Sequence, residues 1–483
     1  MAPSDQAFVG PKAAALGLHR SGFGPAAGQI NAIAADPRGA VLADLDRPLA
    51  GAFNGDLLSS AQAARAVFDF RAEQRAQKKL ALRVQKAGAT SGEMQAISNQ
   101  AVSGPPDLAK PNNELEPKQP PLPQQLLLNE AKARLDAATH AEIGFIERLV
   151  WFWSNHFCIS ADKIPAMAGP YEREAIRPHV LDRFGDLLQS VESHPAMLFY
   201  LDNVESMGTN SIAGINRDRG LNENLARETL ELHTLGVRSG YTQTDVKNFA
   251  KVLTGWTWIP PSEPEHGGEF IFNKRLHEPG PQKVLGKSYP DTGVDQGRAV
   301  LADLARHPAT AQHIAWQFAS HFVSDTPPPT LVDKLRRSFK DTGGDLKEIA
   351  LTLINADESW TPQQQKLKTP AVWVASVMRL TGAQATIPIG LLMNAQAALG
   401  EPLWRPPAPN GFSDSEAAWI DGVPRRLDIA NAFAGHVTAD PLSLLESSVG
   451  PLASSQTRET VARAETRRQA LALLLMTPEF LRS

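Results

Sequence analysis

Residues 221–256, LNENLARETLELHTLGVRSGYTQTDVKNFAKVLTGW, decide the fold class and contain the first candidate functional side chains. At about 100° per residue, leucines at 221, 225, 230, 232 and 235 form one wide apolar arc, which predicts a helix over 221–235. Gly236 and Gly240 supply C-terminal stops. Thr242 with Asp245 is similar to a capping box, with Asp in place of the usual Glu, and predicts a second helix over 243–254.

Two polar side chains lie on the apolar arc of the first of these helices. Glu228 and His233 project inside the arc, whereas Glu223, Arg227 and Glu231 point away from it. Burying a carboxylate or an imidazole is costly unless the group is paired or bound to a metal. Glu228 and His233 are therefore candidates for a buried polar site.

The same helical periodicity recurs along most of the chain, and alternating segments are scarce. We predict a mainly α-helical protein with one large multi-helix core. Further helices are expected at 62–87, 126–157 (one or two helices), 173–192, 294–307, 309–322, 330–341, 345–355, 367–381, 387–399 and 456–477. The segments GEFIFN (268–273) and QKVLGKSY (282–289) are the best strand candidates, and together they predict a small β-hairpin flap near 268–290.

Composition divides the chain into three regions. Residues 1–87 are expected to form an N-terminal helical region, and residues 124–483 the main helical domain with its β flap. Residues 88–123 are rich in Gly, Ser, Asn and Pro, which indicates a linker or an ordered excursion over the surface.

Charge and motif content exclude several classes of function. The net charge of −4 argues against a general nucleic-acid surface. No apolar run approaches the roughly 18 residues needed to span a bilayer. No secretory signal is visible, so the expectation is a cytoplasmic protein as written, or one exported with a partner. The single cysteine, Cys158, excludes an intramolecular disulfide and is expected to be a buried, inert thiol. Phosphate-loop, nucleophile-elbow and dinucleotide-binding motifs are absent.

Several motifs resemble the bacterial protein family DUF1800. They are HRSGFG (19–24), ERLVWFWSNHF (147–157), IRPHVLDRFGDLL (176–188), HPAMLFYLDN (194–203), residues 221–256, HEPGPQKVLGK (277–287), PLWRPPAPNGF (402–412) and LLLMTPEF (473–480). They run in order and cover nearly the whole chain. The resemblance implies no defined activity, because the family is uncharacterised. It does imply a neighbour: genes of this family commonly lie beside those of DUF1501, a Tat-exported family similar to sulfatases and alkaline phosphatases.

Asn155 and His156 end the segment FIERLVWFWSNHF (145–157), which is apolar almost all round and predicts a helix buried on several sides. On the helical wheel His156 falls between Leu149 and Phe152, so it is expected to face packing rather than solvent. One interpretation is a core histidine hydrogen-bonded to a carbonyl. The other is a metal or haem ligand, or a general base whose pKa is shifted in a dry pocket.

The partner of Glu228 is open between two alternatives. Glu228 and His233 are five residues apart, so one helix does not direct both at one ion. Glu228 either pairs with a buried arginine such as Arg177, or meets His156 from a separate helix as the second ligand of a His/carboxylate metal site.

Other candidate residues lie in turns and loops. Asp202 closes a helix, where a carboxylate opposes the helix dipole, so it is expected to cap the next turn or to contribute to a site. His277 is held by Pro279 and Gly280, which suits a lid over a pocket or a structural turn. The proline-rich loop that begins at Trp404 lines a ligand groove or covers the core. His313 and His321 are expected to serve packing.

Two functions follow from these patterns. The first is an enzyme with a polar site buried among the helices at 147–157, 195–203 and 221–235, with a metal ion or a non-covalent haem as the cofactor it would use. Its residues would be His156 and Glu228 as ligands or acid–base groups, His233 beside them, Asn155 and Asp202 as orienting groups, and His277 as a lid residue. The second is a non-enzymatic binding or assembly protein, or an export companion of a DUF1501-type partner.

Overall fold

The computed structural model describes residues 9–47, 57–95, 119–215, 220–237 and 239–483, and for 86–95 the backbone alone. The first half of the chain forms α1 (Pro11–Ser21), α2 (Gln29–Ile33), α3 (Pro37–Asp44), α4 (Ser60–Gln95), α5 (Leu122–His140), α6 (Phe145–His156), α7 (Ala168–Tyr171), α8 (Phe184–Glu192), α9 (Pro195–Tyr200), α10 (Asn224–Glu228) and α11 (Gln243–Leu253). Four short strands follow: β1 (Trp256–Trp258), β2 (Phe270–Phe272), β3 (Gln282–Val284) and β4 (Lys287–Tyr289).

The second half is helical to its end. It forms α12 (Val294–Ala305), α13 (Pro308–Phe322), α14 (Pro329–Thr342), α15 (Leu346–Asn355), α16 (Pro370–Thr381), α17 (Ile389–Ala398), α18 (Val423–Ala434), α19 (Pro441–Ser448), α20 (Ser455–Ala462), α21 (Arg467–Leu475) and α22 (Pro478–Leu481). The mainly α-helical fold is thus confirmed. The prediction of a single helix at 456–477 is wrong. The segment forms two helices, α20 and α21, which are separated by Thr466, the N-cap of the second helix. No helix in the described ranges is long and apolar enough to cross a membrane.

The predicted β-hairpin flap is paired differently from the expectation. GEFIFN does not pair with QKVLGKSY: β2 pairs with β1, with Trp256 opposite Phe272, while β3 and β4 form a hairpin within QKVLGKSY itself. The sequence did not predict β1 because its residues WTW (256–258) follow closely after α11. Two separate two-stranded antiparallel sheets result.

Two predicted helices contain wide π turns. The helix expected at 221–235 is α-helical only over α10 and continues as a π-helix over Thr229–Thr234. The helix expected at 173–192 begins with a π-helix over Glu172–Ile176 and reaches α8 through a 3-10 turn. A π turn has more residues per turn than an α-helix, so side chains after it do not follow the 100° wheel.

Helix α6 lies at the centre of the apolar core. Every residue of α6 except Asn155 is buried, as its all-round apolar sequence predicts. One of its two charged residues, Glu147, receives two hydrogen bonds from Arg177 inside the core, at 2.5 and 2.9 Å. The site described below surrounds the C-terminal end of this helix.

The N-terminal helices pack into that same core. Leu18, Phe23 and Val41 belong to the apolar cluster that contains α6. Helix α4 runs eight residues beyond the predicted end at 87, and α5 begins at Leu122, so most of the expected linker at 88–123 lies outside the described residues.

Candidate functional site

His156 is buried and hydrogen-bonded through both ring nitrogens. Its Nε2 lies 3.2 Å from the backbone oxygen of His233, and its Nδ1 lies 3.1 Å from the side-chain amide of Gln317. Burial first, and then His313 and His233, lower its pKa to about 3. The ring is therefore neutral, and its one N–H donates to the carbonyl of His233 because a carbonyl only accepts.

The same logic orients Gln317. His313 Nε2 lies 3.1 Å from the carbonyl of Leu232 and so carries its proton there. The structure places Gln317 Oε1 3.1 Å from His156 Nδ1 and Gln317 Nε2 3.1 Å from His313 Nε2. Because each ring carries its proton on Nε2, the amide pairs with both rings only when its oxygen and nitrogen are exchanged, with the NH2 group towards His156 Nδ1 and the oxygen towards His313. Both histidines thereby bind carbonyls at the end of the π turn. The geometry matches the core-histidine interpretation of His156, and neither nitrogen is left for an ion.

His233 has a partner that the sequence did not indicate. Its Nδ1 lies 2.6 Å from Glu192 Oε1, and both side chains are almost completely buried. The pair joins α8 to the π turn. The other Glu192 oxygen, Oε2, has no hydrogen-bond partner in the part of the chain that the structure describes.

Glu228 does not pair with Arg177, so that expectation is wrong. Arg177 is held by Glu147. Glu228 is half-buried because the π turn begins directly after it, and the wheel no longer aligns it with His233. Burial raises its pKa, and the neighbouring His233 partly opposes the rise.

Asn155 anchors a loop. Its Nδ2 donates to the backbone oxygen of Phe412 (2.9 Å), and its Oδ1 accepts from the Phe412 N–H (2.8 Å). This two-point contact fixes the loop of the PLWRPPAPNGF motif against the end of α6. Gly411 has φ +74°, and a Cβ there would lie 2.5 Å from the backbone oxygen of Asn155.

Asp202 and His277 lie apart from this cluster. Asp202 forms a surface ion pair with Lys163, and its side chain does not cap the following turn. His277 is buried, donates from Nδ1 to the carbonyl of Thr254 (2.8 Å) and packs against Phe272. The contacts of His277 are those of a structural turn.

Two neighbouring cavities lie beside the end of α6. The inner cavity has a volume of about 70 Å³ and lies between α6, α16, α17 and the loop around Trp404. The outer groove has a volume of about 290 Å³ and is lined by His156, Leu232 and Trp316, among others. Asn155, Phe412, Ser413 and Asp414 line both, so one loop forms the wall between them.

Arg134 is held in the wall of the inner cavity by stacking and by a carboxylate. Its guanidinium carbon lies 4.0 Å from the centre of the Trp151 ring and 5.8 Å from that of Trp404. Its Nε donates to both oxygens of Glu172 at 2.9 Å, and Trp404 Nε1 donates to the same carboxylate at 3.1 Å. Trp404 has φ +52°, a conformation that costs a bulky residue about 1–3 kcal/mol and is typical of functional sites.

A second guanidinium, that of Arg148, also lines the inner cavity. Arg148 donates from NH1 to the carbonyl of Gly22 (3.0 Å), and its NH2 lies 3.4 Å from His321 Nε2. His321 Nδ1 in turn lies 2.8 Å from Asp414 Oδ1. Burial opposes ionisation of Asp414, but His321, Lys366 and Arg148 outweigh it and lower the pKa of this carboxyl. Arg148 Nε is buried with no partner among the described residues.

Glu401 completes the lining. Its Oε2 accepts from the Ala371 N–H (2.7 Å) at the start of α16. Burial nevertheless raises the pKa of Glu401 to about 7, only partly opposed by the hydrogen bonds from Ala371 and Thr369. A carboxyl that titrates near neutrality can both donate and accept a proton at physiological pH.

Two further sequence predictions concern the thiol and a metal ion. Cys158 is buried as expected, and burial raises the pKa of its thiol to about 12. No group of three or more His, Cys, Asp or Glu side chains in the described ranges is arranged to hold a metal ion. The structure does not assign the predicted ligands His156 and Glu228 to a metal centre.

Of the residues that line the inner cavity, Asn155 and the loop at Trp404 were named from the sequence, but the charged residues were not. Glu401 and Asp414 flank the PLWRPPAPNGF motif, so the motif marks the correct loop but not these carboxyls. Arg134 and Arg148 lie on amphipathic or apolar helices, where a sequence pattern does not separate a site residue from an ion pair. Their convergence is visible only in three dimensions.

A mainly helical protein built around a small, charged cavity at the end of a buried central helix is the class that fold and site define. The chain belongs to the family described as protein of unknown function DUF1800, whose model matches residues 17–482. This confirms the family that the motifs indicated. No curated protein and no solved structure matches the chain.

Proposed function

We propose that this protein is an enzyme that transfers protons on a small polar substrate in the inner cavity, with Glu401 as the acid–base group. The observation that carries the proposal is the convergence of a protonatable carboxyl and two buried guanidiniums, those of Arg134 and Arg148, around one cavity. Perturbed titratable groups in a cleft are typical of active sites.

Each group has a role in this proposal. Glu401, with its pKa near 7, donates a proton to the substrate and takes it back. Arg134 and Arg148 stabilise negative charge that develops on a substrate oxygen. Trp404, in its strained conformation, keeps the Arg134 guanidinium stacked and in place.

The proposed catalytic residues differ from those that the sequence indicated. His156, His233 and Asn155 support the end of the π turn and the loop, so they act as positioning residues. The metal- or haem-dependent form of the hypothesis, with His156 and Glu228 as ligands, has no support from this geometry, because both His156 nitrogens are bound by protein groups.

A panel of chromogenic esters, amides, phosphate esters and glycosides tests the proposal. For any compound that is turned over, Glu401→Gln should lower kcat/KM by about a hundredfold or more, while the exposed Glu465→Gln should not change it. Wild-type activity would follow a pH profile with one inflection near 7. Full activity of Glu401→Gln, or no turnover of the whole panel, would contradict the proposal.

A second candidate function is a companion role beside a DUF1501-type protein. The observation that favours it is one face of α4, where Leu80 and Val84, one turn apart, are each more than half exposed. Exposed apolar side chains on a charged helix are typical of contact surfaces. Co-expression with a DUF1501 protein should give a complex that Leu80→Glu with Val84→Glu abolishes; no complex with the wild-type chain would refute this role.

A further inference from the structure

Trp316 is exposed where a tryptophan is expected to be buried. Of the nine tryptophans of the chain, Trp316 alone is largely exposed, with 48% of its surface accessible to solvent. It lies on α13 at the rim of the outer groove. An exposed indole ring at the rim of a groove offers a flat apolar face on which a ligand ring can stack.

The groove beside Trp316 is polar, and among the described residues neither a lysine nor an arginine lines it. Its hydrogen-bonding groups are amides, hydroxyls and two carboxylates, supplied by Asn155, Gln317, Ser320, Asp325, Asn410, Ser413, Asp414 and Ser415. A surface of this kind repels an anionic ligand and offers many donors and acceptors to a neutral one.

Both carboxylates are held in position by neighbouring groups. Asp325 accepts from Lys366 (2.5 Å) and from the Glu416 N–H (2.7 Å), and Asp414 accepts from His321 (2.8 Å). Each carboxylate has about four lone-pair sites, so both retain capacity to accept hydrogen bonds from ligand hydroxyls. Charge-assisted bonds of this type are stronger than neutral ones.

We propose that the outer groove is a saccharide-binding site in which one face of a neutral sugar ring lies on Trp316 and its hydroxyls bind Asp325, Asp414 and Asn410. The C–H groups on the flat face of a pyranose carry partial positive charge, which is attracted by the negative face of an indole ring. The remaining edge of the sugar carries hydroxyls, which the groove can pair. This site goes beyond the proposed function, because binding in the groove requires no reaction in the inner cavity.

Affinity electrophoresis tests this site directly. The full chain is run in native gels containing dextran, soluble starch, hydroxyethyl cellulose, xyloglucan or glucomannan. At least one neutral polysaccharide should retard the wild-type protein. Trp316→Ala, which alters an exposed side chain, should weaken that interaction tenfold or more, and Trp316→Phe should keep part of it because it retains an aromatic face.

Matched controls make each outcome decisive. Leu391→Ala removes a comparably exposed apolar side chain on α17 and should leave retardation unchanged. Gels with pectin test for charge-driven binding, and gels with gelatin test for a peptide ligand. The inference is overturned if no neutral polysaccharide retards the wild-type protein, if Trp316→Ala binds as well as wild type, or if only pectin or gelatin retards it.

Discussion

At the scale of single residues, Glu401 links ionisation to stability. Burial raises its pKa from 4.5 to about 7, so between these pH values the folded protein holds a proton that the unfolded chain has released. The contribution of Glu401 to stability therefore falls as pH rises through this window. Relative to wild type, Glu401→Gln should gain about 1–3 kcal/mol in free energy of unfolding between about pH 5 and about pH 8.

Urea unfolding at the two pH values measures this difference. Glu465→Gln, at an exposed position near the end of the chain, is the matched control and should track the wild type. Parallel pH dependence in Glu401→Gln and wild type would show that Glu401 titrates normally in the folded protein.

The pKa shift of His156 has the opposite effect on the pH dependence of stability. Its pKa falls from 6.5 to about 3 on folding, so the unfolded chain binds a proton in this range that the folded protein does not. Stability from this residue is lost as pH falls below 6.5. At neutral pH, His156→Ala should cost about 2–4 kcal/mol, because it leaves the carbonyl of His233 unpaired and creates a cavity.

His156→Gln separates these two contributions. The glutamine keeps an N–H donor for the carbonyl of His233 but does not titrate. Denaturant unfolding should therefore show a smaller loss than for His156→Ala at neutral pH, together with a weaker acid dependence than wild type. If glutamine were as costly as alanine, the hydrogen bond to the carbonyl would not be the main contribution of His156.

At the scale of elements, the loop between the two cavities depends on its contact with α6. Gly411→Ala should displace this loop, because the new Cβ would meet the Asn155 carbonyl at 2.5 Å in addition to adopting φ +74°. Gly400→Ala is the matched control, since it also has positive φ (+93°) but its Cβ would meet Trp419 at an ordinary 3.7 Å.

Hydrogen–deuterium exchange over residues 400–415 measures the displacement. Exchange should accelerate in Gly411→Ala and remain near the wild-type rate in Gly400→Ala, although both variants are less stable for conformational reasons. Equal acceleration in the two variants would indicate that backbone strain alone, and not the contact with Asn155, controls the loop.

Local signals in the sequence predicted elements well but did not predict which charged side chains meet at the inner cavity, for a physical reason. The Thr242–Asp245 capping box forms as expected because all of its atoms lie within four residues. The helical wheel misplaced Glu228 relative to His233 because the π turn changes the number of residues per turn. No side-chain pattern in the sequence indicates a π turn. The inner cavity joins Arg134, Arg148, Glu401 and Asp414, and nothing in their separate patterns indicates that they meet.

At the scale of the whole molecule, buried histidines set the response to acid. Burial lowers the pKa of His19, His156, His313 and His321. Between about pH 6.5 and 5, unfolding should therefore take up protons at these histidines, partly offset by about one proton that Glu401 releases.

Urea midpoints measured in steps from about pH 7.5 to about pH 5 report this uptake through their slope. The free energy of unfolding should fall by a few kcal/mol over that range. A flat or rising profile would mean that these four rings are accessible to protons in the folded protein.

The π turn at Thr229–Thr234 also makes the fold sensitive to the number of residues in this segment. Its Leu235 N–H pairs with the carbonyl of Leu230, five residues back. Deleting one residue here would restore the α-helical repeat, rotate every later side chain of the turn by about 100°, and separate His233 from Glu192. In this segment the number of residues therefore matters to the fold as much as their identity, because a one-residue deletion would break the buried contact between His233 and Glu192.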